Sequence, residues 1–247
     1  MIPVTPQVQL SFLDEERFGI RTARAPLVTL ETLPGIIQFC EANQVALLIA
    51  RCDVSQPRTV QAMEQWGCEL MDTLVYYTRR LTAESIPAEV SGVGIRTVRP
   101  GEEERIGQVA AEAFDGYCGH YHADGRLDPA RCTEAYVSWA RRLCTDRSAG
   151  DEVLVAEADG GLVGFGALRL NSPQQGEGVL FGVVPAAQRR GVYRSLIVRS
   201  MQWCLARGAD SIMYSTQIAN VPVQKVITRL GFETHHAYYT FHRWLRS

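Results

Sequence analysis

A chain of 247 residues with 46% hydrophobic content is long enough to bury a sizeable core, in one domain or two. Its charges nearly cancel, to −2 at pH 7, and are mixed along the chain, which argues against nucleic-acid binding. No apolar run, 45–50 being among the longest, approaches a membrane span, and no charged segment leads into an apolar one at the N-terminus, so a cytoplasmic protein is expected.

In chain order, periodicity predicts a helix around 30–42, a strand at 45–51, a helix at 57–65 and a long strand at 69–80. Residues 82–94 have the Pro, Ser and Gly content of a linker, so the chain is expected to divide into an N-terminal αβ domain, 1–85, and a second domain, 90–247. The second domain reads as a strand at 95–98, a helix at 102–114, a loop, and a helix at 132–143. Strands at 153–157, 162–170 and 178–184 come next, then a helix at 194–207 that Gly208 ends. A strand at 211–216, a short helix after Asn220 and an aromatic strand at 234–244 complete the order. Such alternation implies an α/β or α+β layer structure, with helices covering a sheet. Residues 64–81 loosely echo 228–240, as if the first domain were a truncated copy of the second; two αβ hairpins alike by chance remain the other reading.

The most informative stretch runs from Phe181-Gly182-Val183-Val184 through Gln188-Arg189-Arg190-Gly191 into Val192-Tyr193-Arg194-Ser195. An apolar strand ends, a turn follows, and a helix opens at once. Backbone N–H groups at a helix N-terminus lack intrahelical partners, and the helix dipole adds partial positive charge there. The geometry suits a phosphate or pyrophosphate, and the adjacent arginines strengthen it. The turn resembles the acyl-CoA pyrophosphate loop of the GNAT superfamily of N-acetyltransferases, Gln/Arg-x-x-Gly-x-Gly/Ala: Gln188, Arg190 and Gly191 fit, while Tyr193 replaces the second small residue. About thirty residues on, Asn220 and, eleven residues later, Gly231-Phe232 keep a second spacing of that superfamily, with Val223 where Ala is usual.

The resemblance covers about 90–247 and implies the GNAT fold, a mixed central sheet with flanking helices, and acetyl-CoA as acyl donor. It implies that Phe181 to Val184, Gln188 to Ser195, and Asn220 hold that donor. In this superfamily the strand before the turn splays from its neighbour, so its N–H groups reach pantetheine and the thioester oxygen; here that strand is 180–184. The loop that bears Tyr117, His120, Tyr121 and His122, with 135–139 and the segment 12–20, resembles WecD-like acetyltransferases. Those enzymes acetylate the amine of a nucleotide-linked aminosugar, typically dTDP-4-amino-4,6-dideoxygalactose, so these four residues are expected to bind the acceptor.

Glu177 stands eleven residues before Gln188, the offset of the general base in the histone-acetylating branch, and is the candidate base. A carboxylate that is to accept an ammonium proton needs a buried site. The usual acid, a Tyr seven residues after the Asn, is Ile227 here. Tyr239, Tyr193, Tyr214 or His235 would then protonate the thiolate, with Tyr239 taken as the candidate, or solvent would. His120 and His122 lack a third ligand at metal-site spacing, so no metal is expected. The seven cysteines, without a Cys-x-x-Cys, read as apolar fillers of a reduced protein. The reading is an acyl-CoA-dependent N-acetyltransferase for a small-molecule primary amine. A different acyl donor or acceptor of specialised metabolism, or a non-catalytic acyl-CoA sensor, are the alternatives. A homodimer paired through the aromatic C-terminal strand is left open.

Overall fold

The computed structural model describes residues 7–245. Its elements are β1 (Gln9–Leu10), α1 (Phe12–Phe18), β2 (Thr22–Ala25), α2 (Leu33–Ala42), β3 (Leu47–Asp53), α3 (Pro57–Gln65) and β4 (Glu69–Arg80). They continue as β5 (Gly94–Thr97), α4 (Glu103–Ala113), α5 (Pro129–Thr145), β6 (Glu152–Ala158), β7 (Gly161–Ser172) and β8 (Gln175–Val183). The chain ends with α6 (Val192–Ala206), β9 (Ser211–Gln217), α7 (Val221–Arg229) and β10 (Glu233–Trp244). Proline stands in the first turn of α2, α3 and α7, where its missing N–H costs nothing and its fixed φ suits a helix. Among the described residues no helix is long and apolar enough to cross a membrane.

Two compact units result. One is made of the chain up to Val75, Cys118–Cys132 and the chain from His236 on; the other is Tyr76–Tyr117 with Thr133–His235. In the first unit the strand order is β1-β2-β3-β10, with β2 parallel to β3 and β10 antiparallel to it from Tyr238↔Asp53 to Trp244↔Leu47. One edge of the aromatic C-terminal strand is therefore taken within its own unit. The core is Ile36, Ile37, Leu48, Met63 and Phe241, with Cys40, Cys52 and Cys68 among them. Burial pushes those three thiols up to about 11, which fits apolar filling rather than nucleophilic chemistry.

β2 has no counterpart in the sequence reading. Its Thr-Ala-Arg-Ala shows no apolar alternation, yet Thr22, Ala23 and Ala25 are buried, since a strand beside a parallel partner and covered on both faces need not alternate.

In the second unit the order is β4-β9-β8-β7-β6-β5, antiparallel from β5 to β8 and parallel between β8 and β9. A bulge sets the faces of β8. Opposite β7, Leu168 pairs with Gly178 and Ala167 with Leu180, so Val179 has no partner across the ladder. One extra residue reverses the alternation. Before it, a Cβ on Gly176 would come to 2.3 Å from the Cys204 sulfur of α6; after it, one on Gly182 would come to 3.0 Å from Ala113 of α4. The two helices thus cover the two faces of one strand. α6 is buried nearly all round through Leu196, Ile197, Val198, Met201 and Cys204, which makes it the spine of this unit.

Candidate active site

The bulge also ends the pairing of β8 with β9. That pairing runs from Gln175↔Ser211 to Gly178↔Tyr214, although β8 goes on to Val183 and β9 to Gln217. A bulged strand bends and twists more, so the two strands part just beyond Val179. The backbone of β8 facing the gap is then open to a ligand, while its other edge stays paired down to Val183↔Gly164. Aromatic rings line the parting. Phe181 lies 5.2 Å from Tyr214 and 5.9 Å from Tyr193, and Tyr214 lies 5.4 Å from Phe232, ring centre to ring centre.

β8 leads into a short 3-10 turn, Pro185–Ala187, and then into α6. Two residues of this connection adopt left-handed φ, Arg189 at 62° and Gly191 at 81°. For an arginine that conformation stores about 1–3 kcal/mol of strain, and such strain collects at functional sites. Left-handed residues at a helix start turn successive N–H groups toward one concavity, an arrangement that binds anions. No side chain caps the helix, and its first backbone bond runs from the Ser195 N–H to the Gly191 carbonyl at 2.9 Å. The N–H groups of Val192, Tyr193 and Arg194 precede that bond and stay available.

Gly191 is required twice over, by its φ and because a Cβ there would meet Val90 at 2.8 Å. Ser195 is fully buried, and its hydroxyl accepts the Val90 N–H at 3.1 Å, so it fixes the segment over the helix start. Arg194 donates to the Ala88 carbonyl at 2.7 Å, Arg190 pairs with Asp159 at 2.6 Å, and Gln188 donates to the Val183 carbonyl at 3.3 Å. Among the described residues Arg189 makes no ion pair, so it is the guanidinium of the turn left for a ligand.

Residues 117–232 match the model of the acetyltransferase (GNAT) family. The solved GCN5-related N-acetyltransferase from Sphaerobacter thermophilus superposes with a TM-score of 0.67 over 97% of this chain and 76% of that one, at 17% identity. This chain has the GNAT fold. A mycothiol acetyltransferase from Amycolatopsis mediterranei (strain U-32) is 30% identical over 153 residues, 58% of this chain and 47% of that protein. The spore coat polysaccharide biosynthesis protein SpsD of Bacillus subtilis (strain 168) is 23% identical over 145 residues, 59% and 48% of the two chains. The chain spans about half the length of these curated relatives.

The remaining GNAT-derived candidates fall in several places. Glu177 lies on β8 before the bulge, opposite Arg169, which donates two hydrogen bonds to it at 3.1 and 2.6 Å. Its side chain is 13% exposed, and it must leave the guanidinium to take a proton elsewhere. Asn220 caps α7, its side-chain oxygen accepting the Val223 N–H at 3.4 Å. Ile227 is fully buried on α7. Tyr193 and Tyr214 stand at the parting, and burial keeps both phenols protonated well above their ordinary range. His235 is exposed, and Tyr239 lies on β10 in the first unit, opposite Cys52.

The loop candidates divide as well. Tyr117 belongs to the second unit and packs edge-on against Phe114 and Tyr136, 5.2 Å from each. His120, Tyr121 and His122 belong to the first. The Tyr121 hydroxyl donates to buried Asp14 at 2.7 Å and accepts from Arg24, which also donates to Asp14. That network ties the loop to α1 and β2. Sequence reasoning did not find Val179, whose bulge leaves no compositional mark. It also did not connect His242 and Trp244, two apart on one face of β10, with Asp124 in the loop, to which both bond at 2.8 Å. The alternation of a strand was the available signal there.

A cleft of about 290 Å³ in the second unit lies by Arg96, Glu152, Arg199, Trp203 and Arg207, at the far end of α6 from the turn. Its arginines are already paired, Arg96 with Glu102, Arg199 with Glu89 and Arg207 with Glu152, so it offers an anion little. The turn, not this cleft, has the chemistry of a donor site. Among the described residues no group of three His, Cys, Asp or Glu could hold a metal.

Proposed function

We propose that the chain transfers an acetyl group from acetyl-CoA to a primary amine of a small molecule. The uncapped start of α6, with left-handed Arg189 and Gly191 beside the parting of β8 and β9, carries the reading. The pyrophosphate sits on the N–H groups of Val192 to Arg194 with Arg189, and pantetheine enters along the open edge of β8. N–H groups on that edge face the thioester oxygen, where negative charge develops during attack. Glu177 and solvent are the first candidates to take the amine proton.

The finer part of the proposal is the acceptor, a nucleotide-linked aminosugar as in WecD-like enzymes. The loop with His120 and His122 supports it, as does a relative named for polysaccharide biosynthesis. A second reading, acyl-CoA binding without turnover, is favoured by Ile227, a core residue where family members place their acid.

Thermal unfolding with acetyl-CoA, against adenosine as control, tests the donor site. Ligand at about 100 times its Kd adds about 2.7 kcal/mol of stability. A shift with acetyl-CoA and none with adenosine is expected. Release of CoA on adding an aminosugar nucleotide then separates enzyme from sensor.

A further inference from the structure

The cleft at the far end of α6 holds a buried donor that the acetyl-CoA reading does not use. Arg199, Trp203 and Arg207, the last being the C-cap, are spaced by four and so share one side of that helix. Glu152 and Leu154, two apart on β6, share one face of the sheet with Thr97 of β5, which pairs with Leu154. All of these lie in the second unit. The Arg207 guanidinium stacks on the Trp203 ring, 4.3 Å from its centre.

Trp203 is 6% exposed, and its buried indole N–H has no hydrogen-bond partner among the described residues. A buried donor costs free energy until an acceptor reaches it. The direction of the ring is fixed. A Cβ on Gly176 of β8 would come to 3.7 Å from Cζ3, which stands across the six-membered ring from the carbon that bears the nitrogen. The N–H therefore heads away from β8, and the cleft of about 290 Å³ that Trp203 lines is formed with β5 and β6. Arg199, Gln202 and Arg207 at its rim are long and reach solvent, so they can move aside for an incoming oxygen.

Charge at the cleft is balanced. Nε of Arg199 donates to Glu89 at 2.8 Å, an Nη of Arg207 to Glu152 at 3.1 Å, and Arg96 to Glu102 and Glu157 at 2.7 Å. What is left over is hydrogen bonding of both kinds. Among the described residues the Nη groups of Arg199 and the indole N–H are donors without partners, and one Glu152 oxygen is an acceptor without one. The exposed Gln202 amide offers both. A hydroxyl donates and accepts at once, so a neutral molecule bearing several of them matches this wall, where a carboxylate or an ammonium matches half of it. Leu154, buried at the base, suits the carbon face of such a molecule.

We propose that this cleft binds a neutral polyhydroxyl molecule, a monosaccharide or cyclic polyol. One of its oxygens accepts the Trp203 indole N–H, and one of its hydroxyls donates to Glu152. No bond is made or broken. Val192, at the donor turn, is eleven residues back along α6, about 16 Å. The occupant therefore does not meet the donor, and the inference stands apart from the acetylation reading.

The test uses the full chain with D-glucose and myo-inositol as probes. Saturation-transfer NMR on the probe gives its Kd. A ¹H–¹⁵N spectrum of the four tryptophan indoles places it, the signal absent from Trp203→Phe being that of Trp203. A saturable shift of that indole, with the other three still, is expected for at least one probe. Trp203→Phe keeps a ring and should weaken binding about tenfold, the worth of one hydrogen bond to a buried donor, while the melting temperature holds. Glu152→Gln leaves Arg207 without its carboxylate, so it should weaken the probe and admit acetate, to which the unaltered protein does not respond. Acetyl-CoA should leave the probe's Kd unchanged. The proposal is overturned if neither probe moves the Trp203 indole, if acetate moves it in the unaltered protein and the probes do not, or if acetyl-CoA displaces the probe. An indole that exchanges its proton with bulk water and answers to no probe would make the cleft a hydrated one only, and overturns it as well.

Discussion

Gly178 and Tyr214 form the last backbone pair between β8 and β9, and the Tyr214 ring occupies the space a side chain at 178 would fill: a Cβ there would come to 2.0 Å from it. The ring is 2% exposed and wedged by Phe181 and Phe232, so it cannot swing aside. The strands part because one residue of β8 bulges and because a ring from β9 lies across the strand just before it.

Gly178→Ala is therefore expected to cost about 1–3 kcal/mol, as overpacking does in cores. In a Tyr214→Leu background the same change should cost less, since the obstructing ring is gone. A double-mutant cycle by urea unfolding measures the difference, and equal costs in both backgrounds would mean the pair does not set the geometry.

At the turn, Gly191→Ala forces an L residue into φ near 81° and brings its Cβ to Val90. About 1–2 kcal/mol of stability should go on the backbone alone. Adding Val90→Ala should recover the contact part and not the backbone part. Gly191→Glu places a negative charge on the anion site as well, so its melting temperature should no longer respond to acetyl-CoA. A retained response would remove the pyrophosphate assignment.

The donor half of the site was legible in the sequence because it is local. A strand end, a Gln-Arg-Arg-Gly turn and a helix start are contiguous, and Gly191 marks the left-handed residue directly. The buried polar cluster of the first unit was not, since Asp124 and His242 lie 118 residues apart and meet only through folding. His120 was visible as a loop histidine, but its contact with His242, 122 residues away, was not. The same holds for Asn220, which the spacing marks as a donor ligand and the structure places as a helix cap, one short polar side chain suiting either role.

Glu177 is tested through pH dependence. Glu177→Gln removes the partner of half-exposed Arg169 and should reduce stability by no more than about 1 kcal/mol. If Glu177 takes the amine proton, the variant's kcat at pH 7 falls and recovers as rising pH frees the amine. A pH–rate profile of CoA release that matches the unaltered protein's would assign that proton to solvent.

Acid should weaken the first unit in two steps whose order follows from the signs. His120 is held below its ordinary value of 6.5, chiefly by burial, so the unfolded chain binds a proton there that the folded one refuses. Stability is full above about 6.5 and falls as the pH drops below it. Asp124 is held down to about 2 from 3.8, so its contribution is present above 3.8 and lost between there and about 2. At 1.36 kcal/mol per pH unit this second step is worth about 2 kcal/mol. Unfolding free energies at pH 7.5, 5, 4 and 2.5 should show both falls. His120→Gln should flatten the first and leave the second, while Asp124→Asn should flatten the second. The same two falls in all three proteins would show that neither group carries the acid dependence of the fold.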